Sequence, residues 1–108
     1  MVMTASSPGE TSDAFRAAAA SSTWAVLGLM RSLAHELGPD GVRVNAILVG
    51  AGRSRIQDKG SSAIPYDPEL DDAAALALFL CSPAARNLTG QAVRIDGLVC
   101  PSALRGSP

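Results

Sequence analysis

The sequence predicts an α/β fold in which three parallel strands are joined by two main helices. Short apolar or alternating segments occur at residues 1–5, 42–50 and 91–96, and longer patterns separate them. Strand, helix, strand, helix, strand is the order of two consecutive βαβ units, which build parallel sheets. A three-stranded sheet leaves an apolar edge strand with unpaired backbone groups, so we expect further sheet to exist or another chain to supply it.

The longer helical pattern is expected to follow the turn-rich segment 6–13, with Thr11 or Ser12 as its N-cap. It ends in "LGPDG", where Gly38 is the expected C-terminal cap. Residues 24–30 are nearly all apolar, so this part of the helix has no polar face. We therefore expect the helix to be covered on two sides, by its own sheet and by a second layer or another chain. Residues that repeat at spacings of three and four make one face: Phe15, Ala18, Ser22, Val26, Leu29, Leu33 and Leu37.

The second helix is predicted over residues 69–81 and is shorter and more apolar. Asp67 is its expected N-cap and Pro68 its first helical residue. Its acidic first turn complements the positive end of the helix dipole. The segment 51–65 between the second strand and this helix is polar and glycine-rich, and is expected to be a loop.

Composition argues against several classes of function. The 108 residues suit one small domain. A net charge of −1 predicts no electrostatic attraction to nucleic acid or to an anionic membrane. Only 4% of the residues are aromatic, so there are few side chains on which nucleic-acid bases could stack. Cys81, Cys100 and His35 lack partners at ligand spacing, so no metal site is expected and a cytoplasmic compartment is favoured. We also expect neither a signal peptide nor a membrane span.

Three long phrases resemble the short-chain dehydrogenase/reductase family: "MTASSPG" (3–9), "GLMRSLAHELGPDGVRVNAILVG" (28–50) and "LALFLCSPAARNLTGQAVRIDGL" (76–98). The resemblance implies the C-terminal part of a Rossmann-type doubly wound parallel sheet, namely its last three strands. Residues 1–100 would form this partial domain, and 101–108 a flexible tail. The family reaction is hydride transfer between NAD or NADP and a ketone or alcohol.

The family's catalytic signature, a tyrosine followed four residues later by a lysine, has no counterpart in this sequence. Counting back from the second phrase places Ala19 at the tyrosine position and Thr23 at the lysine position. A methyl group has no proton to exchange, and a threonine hydroxyl supplies no positive charge. Loss of a positioned acid–base group alone costs about 10²- to 10⁴-fold in rate. By resemblance Ser6, thirteen residues before Ala19, is the remaining catalytic residue; the alternative is a loop serine that satisfies local backbone groups.

The cofactor-binding residues implied by the resemblance are Gly50, Gly52 and Ser54, in the segment that would meet the nicotinamide. The alternative is an ordinary turn from strand to loop. The glycine-rich turn that receives the cofactor pyrophosphate in this family is not matched. If Gly50 and Gly52 are taken as the first two glycines of G-x-G-x-x-G, Arg55 occupies the position of the third. Asn45 is interpreted as a side chain that satisfies backbone groups.

Two hypotheses of function follow, and a chain from an incomplete gene with no selected role is a third possibility. The first is a truncated, catalytically impaired oxidoreductase of this family. The second is a non-catalytic interaction module that associates with itself or with a full-length relative through the long helix. Whether the chain is an enzyme is left open by its sequence.

Overall fold

The computed structural model describes residues 1–10, 14–50 and 70–97. Its strands and helices, in chain order, are β1 (Val2–Ser6), α1 (Ser7–Glu10), α2 (Ala17–Leu37), β2 (Asn45–Val49), α3 (Leu70–Cys81) and β3 (Ala92–Ile95), with 3-10 turns at Gly38–Asp40 and Pro83–Ala85. The sheet order is β1-β2-β3 and both pairings are parallel. The predicted α/β class, three strands and two main helices are therefore confirmed.

Helices cover both faces of this sheet. On one face, Met30 of α2 packs with Ala46 and Leu48 of β2 in the main core cluster. Successive strand residues point to opposite faces, so the fully buried Ile47 faces the other way. There α3 packs on β1 and β2, and its Leu80 side chain is buried. A doubly wound arrangement results, as the sequence predicted.

The predicted start of the long helix is wrong. Helix α2 begins at Ala17 after Arg16, whereas Thr11 and Ser12 lie outside the described residues. Phe15 has a left-handed φ of 64° and a fully exposed side chain, so it belongs to the turn before the helix. Residues 7–10, expected to be part of a loop, form the short helix α1.

The predicted face of α2 is not the buried one. The buried residues of the helix are Thr23, Leu27, Met30 and Ala34, one position along from the predicted series. Leu29 is 53% exposed and Ser22 is exposed, whereas Leu33 and Leu37 pack at the margin of the core. Because residues 24–30 are apolar nearly all round, periodicity alone could not decide which side faces the sheet.

Helix α2 ends at Leu37 with Gly38 as its C-cap, as predicted, although Gly38 keeps a right-handed conformation. The chain continues through a 3-10 turn, and the left-handed residue is Gly41, with φ 76° and its N–H donating to the Gly38 carbonyl. The predicted N-cap Asp67, the loop 51–65 and the tail 101–108 lie outside the described residues.

Arg43, just before β2, ties the C-terminal end of α3 to the sheet. Its guanidinium donates to the carbonyl oxygens of Leu80 at 2.7 Å, and of Ser82 and Leu88 at 3.3 Å each. Carbonyl groups at a helix end lack partners within the helix, and an arginine fork can satisfy several of them at once.

Asn45 fixes the loop that leads into β3. Its Nδ2 donates to the Leu88 carbonyl at 2.9 Å, and its Oδ1 accepts from the Gln91 N–H at 3.1 Å. Thr89 Oγ1 accepts from the Val44 N–H in the same region. The interpretation of Asn45 as a residue that satisfies backbone groups is therefore confirmed. No helix within the described ranges has both the length and the apolar content to cross a bilayer.

Candidate functional site

Ser6 stands at the carboxyl end of β1, and its side chain is accessible. It is the last residue of the strand, it is exposed, and its Cα pairs with that of Val49 on β2. Ligands of open α/β sheets bind beyond the carboxyl ends of the strands, so Ser6 lies at the edge where such a site is expected.

Thr23 contacts Ser6 through a hydrogen bond. The Thr23 side chain is 3% exposed, and its Oγ1 donates to the Ser6 carbonyl oxygen at 3.3 Å. Ala19, one turn earlier on α2, is exposed. The three positions implied by the resemblance therefore lie where α2 meets the end of β1, although Thr23 contacts the backbone of Ser6 rather than its hydroxyl.

Gly9 on α1 packs directly on this part of α2. A Cβ at Gly9 would overlap Thr23 Oγ1 and would lie 2.8 Å from both the Ala19 carbonyl oxygen and Thr23 Cβ. The close approach of the two helices thus requires a residue without a side chain. Thr23 is enclosed between β1 and α1 as a result.

Replacement of Gly9 by alanine is therefore expected to lower the free energy of unfolding by about 1–3 kcal/mol, through overpacking against α2. Gly28, at an exposed mid-helix position with open space around it, supplies the matched control. Gly28→Ala should stabilise the chain by about 0.5–1 kcal/mol, because alanine favours the helix. Urea denaturation measures both; equal effects of the two variants would contradict the packing of α1 on α2.

An ion-pair cluster that sequence reasoning missed lies at the same end of the sheet as Ser6. The Arg94 guanidinium contacts Asp96 Oδ2 at 2.6 Å and Glu10 Oε2 at 3.5 Å. Asp96 is 2% exposed, and the Arg94 side chain is 31% exposed. The cluster joins α1 to β3 across the end of β2. Only the Arg94–Asp96 pair carried a sequence signal, because the two residues are two positions apart at the end of β3 and after it.

The chemistry available at this end of the sheet is limited. Ser6 offers a neutral hydroxyl, Ala19 offers none, and the Thr23 hydroxyl is already bound to a carbonyl. Gly50 follows β2 at the same edge and is partly buried, whereas Gly52 and Ser54 lie outside the described residues. Within residues 1–10, 14–50 and 70–97, no three His, Cys, Asp or Glu side chains are grouped to hold a metal ion.

Comparison with known proteins identifies the family. A family model described as enoyl-(acyl carrier protein) reductase matches residues 1–97. The chain belongs to the short-chain dehydrogenase/reductase family. Among solved structures, 4-hydroxyisoleucine dehydrogenase complexed with NADH aligns at a TM-score of 0.80 and 28% identity, over 90% of this chain and 45% of that one.

Curated relatives are similar over much of the chain. Trans-4-hydroxycyclohexanecarboxylate dehydrogenase of Sinomonas cyclohexanicum is 36% identical over 87 residues, which are 76% of this chain and 34% of that protein. The 7alpha-hydroxysteroid dehydrogenase of Bacteroides fragilis is 32% identical over 108 residues, covering 90% and 42% of the two. The family resemblance is confirmed, and the chain spans less than half the length of these relatives.

Proposed function

We propose that this short-chain dehydrogenase/reductase unit is truncated and catalytically impaired. It does not by itself carry out the family's hydride transfer between NAD or NADP and a ketone or alcohol. The observation that supports the proposal is the environment of Thr23. Its hydroxyl is buried and donates to the Ser6 carbonyl, while Ala19 presents only a methyl group. No side chain at these two positions can exchange a proton with a substrate oxygen or supply a positive charge.

The described residues do not fit a nicotinamide nucleotide. Thr23 is 3% exposed and already donates to a carbonyl, so it is no free donor for a ribose. Residues 11–16 before α2 include no glycine, so the N-terminus of this helix lacks the glycine-rich sequence with which a pyrophosphate is bound. We therefore derive no hydride-transfer step for this chain, although solved relatives bind NADH.

Cofactor binding gives the first test. NADH or NADPH added to the chain is expected to leave its thermal stability and its Trp24 fluorescence unchanged. A ligand that binds the folded state at a hundredfold excess over Kd would instead stabilise it by about 2.7 kcal/mol. A shift of that size with either nucleotide would contradict the proposal.

Turnover gives the second arm of the same test. NADH or NADPH consumption with a panel of ketones is expected to stay at the rate without protein. Ser6→Ala and Ser21→Ala are matched variants, because Ser21 is an exposed serine whose hydroxyl bonds only the Ala17 carbonyl. Turnover that Ser6→Ala abolishes and Ser21→Ala leaves intact would show that a working site remains.

A second candidate function, association through α2, is favoured by the exposure of its apolar side chains. Trp24 is 47% exposed and Leu29 is 53% exposed, with Ala25 and Gly28 exposed between them. The partner in this proposal is another copy or a full-length relative.

Cys81 is an exposed free cysteine, which supports a reducing, cytoplasmic compartment for either function.

Leu29→Lys tests this association by placing a charge on the exposed α2 face. The apparent mass in sedimentation, or the capture of a full-length relative, is expected to fall, because a buried unpaired charge opposes the contact. Leu78→Lys on α3, where Leu78 is 74% exposed, is the control and should leave association unchanged. Equal loss in both variants would point to general instability instead.

A further inference from the structure

Buried polar residues are concentrated at the end of the sheet where α1 packs on α2. Among the residues that the structure describes, four polar or charged residues are buried. Three of them lie at this end, namely Ser7, Thr23 and Asp96, and the fourth is Asn45 at the opposite end of β2. Burial of a polar group costs free energy unless the group is hydrogen-bonded, so the cost of closing this end depends on the contacts of the three.

The Ser7 hydroxyl is the least satisfied of these groups. Ser7 is completely buried, and its Oγ makes no hydrogen bond to any residue that the structure describes. By contrast, Thr23 donates to the Ser6 carbonyl, and Asp96 binds the Arg94 guanidinium. A buried hydroxyl without a partner gains a hydrogen bond from water when it becomes exposed. The burial of Ser7 therefore disfavours the position that α1 takes in the structure.

Close packing and an ion pair hold α1 in this position. Gly9 fits against Thr23 of α2, and the Glu10 carboxylate lies 3.5 Å from the Arg94 guanidinium of β3. Both side chains of the ion pair are partly exposed, so the pair adds little stability. Arg94 keeps its closer contact with Asp96, at 2.6 Å, if Glu10 moves away. A helix of four residues is also too short to be stable by itself.

We propose that α1 is a cover that moves away from α2 while the sheet and α2 remain folded. In the closed position the Glu10–Arg94 ion pair holds it across the end of β2. Opening breaks this ion pair and exposes the Ser7 and Thr23 hydroxyls at the edge where Ser6 is already exposed. The position of α1 thus controls the access of polar ligands to these hydroxyls. The proposal does not depend on hydride transfer and applies equally to a chain without turnover.

The rate at which N-ethylmaleimide alkylates a buried thiol measures the opening, in a chain with Cys81→Ser and Cys100→Ser. Thr23→Cys places the thiol beneath α1, Ser7→Cys places it on α1 as a second probe, and Ala46→Cys places a control thiol in the core. Local opening exposes little surface, so the first two rates should depend little on urea below the unfolding transition. The Ala46→Cys thiol reacts through global unfolding, and its rate should rise steeply with urea. The same dependence on urea at all three positions would overturn the proposal.

Two further substitutions in the Thr23→Cys chain, measured without urea, test what holds α1 and what opposes it. Glu10→Gln removes a partly exposed ion pair and is expected to raise the alkylation rate about two- to fivefold. Ser7→Ala removes the hydroxyl without a partner and is expected to lower the rate about tenfold. Glu36→Gln is the matched control, because this exposed carboxylate on α2 accepts from Ser32, and it should leave the rate unchanged. A rate that Glu10→Gln does not raise, or that Ser7→Ala does not lower, would overturn the proposal.

Discussion

Replacing Met30 by alanine is expected to lower the free energy of unfolding by about 2–5 kcal/mol, because the substitution leaves a cavity between α2 and the sheet. Met30 is completely buried and belongs to the cluster that includes Leu27, Ala46 and Leu48. The variant should retain the fold with a lower urea midpoint and an unchanged m value.

Leu29 provides the control, because it is the neighbouring residue on the same helix and is 53% exposed. Leu29→Ala should change stability by about 0.5 kcal/mol or less when measured on the monomer. The pair also tests the orientation of α2, since Leu29 belongs to the face expected from the sequence and Met30 does not. If Leu29→Ala lowered the free energy of unfolding more than Met30→Ala does, the face of α2 that contains Leu29 would have to be the buried one.

The order of strands and helices was predictable because it depends on local patterns. The short apolar run before Ser6 and the alternation before Ile95 are both typical of strands, and both are strands. The burial of α2 was not predictable in the same way. Side chains from Trp24 to Met30 are nearly all apolar, so only contacts with Ala46 and Leu48 decide that Leu27 and Met30 face the sheet.

Much of the candidate site could also be predicted. Counting along the resemblance placed Ser6, Ala19 and Thr23 together, and the Thr23–Ser6 hydrogen bond joins two of those positions. The contact between Glu10 and Arg94 could not be predicted, because those residues are far apart in the sequence and belong to α1 and β3, which are not consecutive elements. The direction of the Thr23 hydroxyl likewise depends on the packing of Gly9 against α2.

The phrases that carry the family resemblance have a structural role in this chain. Arg43 binds the end of α3, and Asn45 and Thr89 hold the loop before β3. These contacts maintain the sheet whether or not a reaction takes place at its edge. The chain can therefore keep the family's fold while Ala19 and Thr23 provide neither a proton nor a charge.

Asn45→Leu is expected to lower the free energy of unfolding by about 2–3 kcal/mol. Asn45 is 1% exposed, and its replacement removes the hydrogen bonds to the Leu88 carbonyl and from the Gln91 N–H. The Leu88 carbonyl keeps a bond from Arg43, so most of the loss comes from the Gln91 N–H, which leucine cannot satisfy.

Gln91→Ala is the matched control, because the Gln91 side chain donates only to the Thr89 carbonyl in an exposed position. This variant should cost about 0.5 kcal/mol or less, and it keeps the backbone N–H that Asn45 binds. Hydrogen exchange adds a local readout: the Gln91 amide should exchange faster in Asn45→Leu and at the unchanged rate in Gln91→Ala. Equal stability of the two variants would mean that β3 is held to the sheet by its strand pairing alone.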